Sequence, residues 1–221
     1  MPLLKELAEF AAAMPSRVPA ERLAIMERAT KDLITSGIVA RAAKVGSRAP
    51  DFSLPDATGR VVSLADLLVK GPVLITFYRG GWCPYCNMEL RAYQRLLPEI
   101  EVPGASLVAI SPQAPDASLG TAEKNALTFP VLSDLDGAVA DAFGLMFELP
   151  DDLRSVYIAF GNDLPRINGT GDWRLPVPAT YVVDQDRTIL FAGVDPDYRT
   201  RPDPADALLA LRDRPRLRGA A

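Results

Sequence analysis

The chain has 221 residues, of which 48% are hydrophobic and 24% charged, and 28 carboxylates outweigh 24 Lys and Arg for a net charge of −4. That length buries a full core without a disulfide framework, and the mild acidity argues against nucleic acid as a partner, since that calls for a basic face. Histidine is absent, which removes Cys-His and Ser-His hydrolysis and most zinc catalysis.

No apolar run approaches the roughly 20 residues of a membrane helix. The opening Met1-Pro2-Leu3-Leu4-Lys5-Glu6 lacks the basic-then-apolar layout of a signal peptide. The expectation is a cytoplasmic protein with no membrane association.

In chain order, Leu3, Leu4, Leu7, Phe10 and Ala11 share one stripe and predict a helix over 3–13. Pro15 and Pro19 break it. A second helix starts near Ala20, keeps Leu23, Met26, Leu33 and Ile34 on its apolar face, and meets Gly37 as its stop. Residues 1–45 therefore read as a helical arm, which either packs on its own domain or makes a homodimer contact.

From Gly46 the texture changes to short alternating strands and helices. Strands are expected at 51–54 and 60–62, and Ser63 is placed to cap a short helix through Leu68. The run Val73–Tyr78 is continuously apolar and suits a central strand buried on both faces. A glycine corner and a helix from about Cys83 to Leu97 follow, ended by Pro98. Ser106–Ser111 is a second buried strand, with a helix over 118–127 and a short strand at 129–132.

Short helices are expected at 137–143 and 150–157, and 159–176 reads as loop. Ala179–Val183 and Thr188–Ala192 form a hairpin, and a last helix runs from Pro204 to about Leu211. Residues 212–221, with four arginines and Pro215, read as a basic, frayed tail. The pattern predicts an α/β layered fold with some parallel pairing.

Cys83 and Cys86 are the only cysteines. They fall just after a buried strand and at the start of a helix, where free N–H groups and the positive end of the helix dipole stabilise a thiolate. A free thiol of pKa ~8.5 is only a few per cent ionised at pH 7, and helix N-termini lower that value. The spacing sets the sulfurs about one helical turn apart, which permits reversible disulfide closure. Pro84 suits the first helical turn because its missing N–H would be unpaired there anyway. Trp82 and Tyr85 flank the thiols as a semi-apolar wall, and Gly80 and Gly81 permit a tight corner. No P-loop, dinucleotide fingerprint or metal-ligand set is present, so no cofactor is implied.

Several segments taken in order resemble the peroxiredoxin superfamily (alkyl hydroperoxide reductase/thiol-specific antioxidant), in particular its CxxC-bearing branch, over about 46–211. They are Gly46-Ser47-Arg48-Ala49-Pro50-Asp51-Phe52-Ser53-Leu54, Phe77-Tyr78-Arg79-Gly80-Gly81-Trp82-Cys83-Pro84-Tyr85-Cys86, Phe129-Pro130-Val131-Leu132-Ser133-Asp134 and Pro178-Ala179-Thr180-Tyr181-Val182-Val183-Asp184. The resemblance implies a thioredoxin-like fold, a central mixed sheet flanked by helices. With Cys86 aligned to the peroxidatic cysteine, Arg79 stands where the family has proline and Cys83 where it has threonine.

The resemblance further implies a hydroperoxide substrate, attack by Cys86, and resolution by Cys83 as a disulfide. A thioredoxin-like, glutaredoxin-like or glutathione donor would reset the pair. It also implies an arginine beside the sulfur, Arg201 with Arg199 as competitor, and a cis-proline turn at Val177-Pro178 facing the thiols. Two alternatives stand beside this reading. One is thiol–disulfide exchange on proteins with an exposed Cys83 as nucleophile, which Trp82 immediately before it favours. The other is a non-enzymatic redox sensor.

Overall fold

The computed structural model describes residues 2–214; the part of the predicted basic tail from Pro215 onward lies outside the described residues. The arm consists of α1 (Pro2–Ala12), a 3-10 turn over Met14–Ser16, α2 (Ala20–Thr35) and the single turn α3 (Ile38–Arg41). Gly37 stands between α2 and α3 with φ +77°, a left-handed conformation that costs glycine little.

The body then runs β1 (Ser53–Pro55), β2 (Val61–Ser63), α4 (Leu64–Lys70), β3 (Val73–Phe77), α5 (Pro84–Glu101) and β4 (Ser106–Ser111). It continues with α6 (Pro115–Lys124), β5 (Val131–Ser133), α7 (Ala138–Ala142), β6 (Met146–Glu148), α8 (Asp151–Ala159) and α9 (Leu164–Asn168). It closes with β7 (Arg174–Pro176), β8 (Ala179–Val183), β9 (Ile189–Val194) and α10 (Pro204–Arg212). As expected from its position, the Ser63 hydroxyl accepts from Asp66 N at 3.1 Å and caps α4.

Five strands form the central sheet in the order β5-β4-β3-β8-β9. β3 pairs parallel with β4 and antiparallel with β8, so the sheet is mixed, as the thioredoxin-like reading requires. β8 and β9 form the predicted antiparallel hairpin. Every residue of β3 is buried. Alternation along it decides which layer each side chain fills: Leu74 joins the core under α5 and α10, while Val73, Ile75 and Phe77 join the core on the opposite face. The same period places Leu107 and Ala109 of β4 with the first layer and Val108 and Ile110 with the second.

The arm packs on its own body. Leu3 and Leu7 of α1 enter the α5 core. Val18 and Met26 form a third apolar cluster with Leu153, Val156 and Tyr157 of α8. Arg28 of α2 and Asp152 of α8 form an ion pair at 2.6 Å.

Two expectations need correction. Pro98 does not end α5, which continues to Glu101. The proline removes one backbone donor, costing ~3 kcal/mol in a helix interior, but the extra turn carries Ile100 into full burial, which returns ~1.5–3 kcal/mol. The predicted loop over 159–176 contains α9 and β7, the latter paired antiparallel with β6. These elements are too short for periodicity to mark, and α9 is closed by Gly169 at φ +72°.

Candidate active site

β3 ends at Phe77 and delivers the chain into the corner Tyr78–Trp82, at the carboxyl edge of the sheet. Gly80 holds φ +150°, and a Cβ there would lie 2.4 Å from Trp82 Nε1, so the corner closes only with glycine at this position. The corner is pinned from outside. Gly81 N donates to Gln113 Oε1 at 2.6 Å, and Asn87 Nδ2 donates to Gly81 O at 2.9 Å. Cys83 is the N-cap of α5, Pro84 occupies the first turn, and Cys86 lies inside that turn.

Both thiols are free and both are wholly buried. The expectation of an exposed Cys83 is therefore overturned: Trp82, Tyr157 and Tyr198, packed around Arg79, close over this end of the helix.

Each sulfur has its own guanidinium. Arg79 Nη2 donates to Cys83 Sγ at 3.3 Å, and its Nη1 donates to Tyr157 Oη at 2.7 Å. The Arg79 guanidinium carbon stands 4.2 Å from the Tyr198 ring centroid and 5.2 Å from that of Trp82. Arg201 Nη2 donates to Cys86 Sγ at 3.4 Å, its Nη1 donates to Tyr198 O at 2.8 Å, and its Nε is bound by Glu89 Oε2. Both arginines are buried. Arg199, the competitor, points elsewhere and is held by both oxygens of Asp197 at 2.8 Å.

These contacts divide the thiols electrostatically. Burial opposes ionisation of Cys83, but hydrogen bonding from Cys86 and the charges of Arg79 and Arg201 override it and hold its thiol well below the ordinary range. Burial pushes Cys86 up, and donation to Cys83 and the negative charge there push it further. The electrostatics thus favour ionisation of Cys83 over Cys86. Burial also raises the Tyr157 phenol to about 12 despite Arg79, so it remains a neutral hydroxyl that accepts from the guanidinium.

The predicted wall residues do come together. Trp82, Tyr85 and Pro178 line one cavity with Arg79 and Tyr198. Tyr85 meets Phe10 of the arm edge-on at 5.1 Å and Tyr198 at 5.5 Å. The Val177–Pro178 bond is trans, since the described residues contain no cis peptide; the expected cis-proline turn is absent, although Pro178 keeps its place facing the thiols' wall. Among the described residues no group of three or more His, Cys, Asp and Glu side chains is arranged to hold a metal ion, and no helix is long and apolar enough to cross a membrane.

Sequence reasoning named Arg201 but missed Arg79, Glu89, Tyr157 and Tyr198. Arg79 carried a signal, a charged residue two positions beyond the largely apolar strand Val73–Phe77. A charge there needs a buried partner. Glu89 carried one too, falling three residues beyond Cys86 on the same helical face.

Residues 45–192 match the AhpC/TSA family. A Mycobacterium tuberculosis protein bearing a peroxiredoxin name is 32% identical over 147 residues, spanning 66% of this chain and 82% of its own. Peroxiredoxin Bcp of Escherichia coli strain K12 is 35% identical over 105 residues, 48% of this chain and 67% of that protein. Among solved structures, peroxidoxin BcpB from Mycobacterium tuberculosis superposes with a TM-score of 0.61 at 30% identity, covering 76% of this chain and 96% of the other.

Proposed function

This chain belongs to the AhpC/TSA family, and from that premise we propose that the Cys83/Cys86 pair is the redox centre of a thiol-dependent peroxidase. The chain reduces hydroperoxides at the expense of thiols. The observation that carries the assignment to this pair is the allotment of one buried guanidinium to each buried sulfur, Arg79 to Cys83 and Arg201 to Cys86. An arginine stays charged at any working pH and offers several donors, both to a thiolate and to an oxygen that gains charge as the O–O bond breaks.

The family register assigns the attack to Cys86. We place it on Cys83, because the thiolate is the nucleophile and the charge distribution favours the thiolate there. The Cys83 thiolate attacks the terminal oxygen of the hydroperoxide and breaks the O–O bond, leaving a Cys83 sulfenic acid and an alkoxide, or hydroxide from hydrogen peroxide. The Cys86 thiol gives its proton to the departing oxygen, which leaves as alcohol or water. The Cys86 thiolate, held by Arg201, then displaces hydroxide from the sulfenic acid. The Cys83–Cys86 disulfide forms, and the hydroxide takes a proton from solvent to become water. One hydroperoxide is reduced by two electrons and two thiols are oxidised. An external dithiol, thioredoxin-like or glutaredoxin-like, or two glutathione molecules reopen the disulfide by exchange in the cytoplasm.

The burial of both sulfurs favours a small molecule as the first partner of the reduced pair. Single Cys→Ser variants exposed to peroxide with a sulfenic-acid trap test the assignment. Cys86→Ser should accumulate one trapped sulfenic acid per chain, and Cys83→Ser should lose the rapid reaction. The opposite pattern returns the attack to Cys86; no trapped sulfenic acid in either removes the pair as the peroxidatic centre.

A further inference from the structure

The arm helices lie outside the stretch that matches the family, 45–192, yet they complete a cavity of about 320 Å3 that reaches Arg79, Trp82 and Tyr85 around the redox pair, with neither sulfur on its lining. Phe10 of α1 and Met26, Ala29 and Leu33 of α2 form its outer wall. Leu153 of α8 and Phe160 just beyond it form another side. The wall towards the redox pair is Arg79, Tyr85 and Tyr198. Apart from Arg79, Thr30 and Asn162, the lining is apolar or aromatic.

Hydrogen peroxide needs no such space. An apolar cavity of roughly 150 Å3 already takes up a benzene ring, so this one has room for an organic group larger than a single ring. Arg79 ties that space to the chemistry, because the guanidinium that lines the cavity is the one that donates to Cys83 Sγ. Arg201, on Cys86, does not line it. Three lining residues also keep buried polar atoms that no protein group satisfies, Arg79 Nε, Trp82 Nε1 and Tyr85 Oη, donors suited to the oxygens of a bound hydroperoxide.

We propose that the cavity closed by the N-terminal arm is the tail-binding subsite of the peroxidase, taking the apolar organic group of a bulky, aromatic or branched hydroperoxide while its O–O group lies at Arg79. This rests on the Cys83 reading given above. The arm thus acts as a specificity element added to the redox domain. Each methylene moved from water into such a wall multiplies affinity about fourfold, so selectivity should rise steeply with the size of the organic group.

The test joins kinetics with a binding measurement that needs no turnover. In the wild type, kcat/KM for cumene hydroperoxide should exceed that for tert-butyl hydroperoxide at least tenfold, through KM. Ala29→Trp fills the cavity from α2 and should cut the cumene-to-hydrogen-peroxide selectivity ratio at least tenfold. Leu33→Trp fills the same wall if the first variant fails to fold. Separately, 2-phenyl-2-propanol, the product alcohol, should bind the reduced wild type by calorimetry and lose that binding in the filled variant. Binding without any peroxide turnover would sink the peroxidase assignment and leave the cavity assignment standing. Turnover without alcohol binding or size preference overturns the subsite. So does an Ala29→Trp effect confined to disulfide recycling, which would make the cavity a docking place for the thiol donor.

Discussion

Arg201 and Glu89 form an ion pair in which each side chain is 1% exposed. Glu89 sits three residues after Cys86 on α5, and Arg201 reaches Cys86 from the loop before α10. The carboxylate thereby fixes the guanidinium against the sulfur. Breaking a buried pair by deleting one partner leaves an uncompensated charge and costs ~3–5 kcal/mol.

Glu89→Ala should therefore lower unfolding stability by about 3–5 kcal/mol in denaturant titration. Glu89→Gln, which keeps a hydrogen-bonding group for Arg201, should lose less stability and still slow disulfide closure after peroxide addition. Equal stability of Glu89→Ala and wild type would mean that the pair does not hold this end of the site.

Arg79 supports the Cys83 thiolate directly, so Arg79→Gln should raise the Cys83 pKa and move the midpoint of the thiol-alkylation pH profile upward. Arg79→Lys should not restore the rate, because one ammonium cannot reproduce the planar fork that serves Tyr157 and Cys83 together. Full activity in the lysine variant would contradict this role.

The pH dependence follows from the direction of the Cys83 shift. Its folded-state pKa lies well below the ordinary 9.0. The stabilisation from its thiolate is thus fully present above the unfolded value and is lost as pH falls through the folded value. Iodoacetamide alkylation of the first thiol should stay flat from about pH 9 downward and decline only as pH passes through that depressed value. A midpoint at the free-thiol position would overturn the electrostatic assignment.

Gly80 should not tolerate a side chain. Gly80→Ala combines φ +150° with a Cβ 2.4 Å from Trp82 Nε1, and backbone strain of this kind costs ~1–3 kcal/mol. The variant should lose that much stability and shift Trp fluorescence, since Trp82 must move. Gly59→Ala serves as the comparison: its φ is also positive, at +83°, but nothing lies within 4 Å, so it should bring backbone strain without disturbing Trp82.

Much of the architecture was legible because it rests on strong local signals. The largely apolar runs of β3, β4 and β8 are buried strands bounded by turn residues, β9 follows β8 as a half-buried hairpin partner, and the arm's stripes mark α1 and α2. Cys83 and Cys86 were legible as chemistry because of where a strand hands over to a helix. The rest depends on contacts between distant residues. Nothing near Arg79 in sequence announces Tyr157, 78 residues away, and the cavity exists only because the arm folds back over Tyr85. The trans bond before Pro178 and the burial of Cys83 were misjudged for a similar reason, since both are decided by neighbours packed from other elements.

The most direct test of the central claim is rapid mixing of fully reduced protein with hydroperoxide in the absence of any thiol donor, following Trp fluorescence and free thiols. Stoichiometric loss of both thiols, much faster than a free thiol reacts at the same pH, is the predicted result. Slow loss at the rate of an ordinary thiolate would contradict a peroxidase built on the Cys83/Cys86 pair.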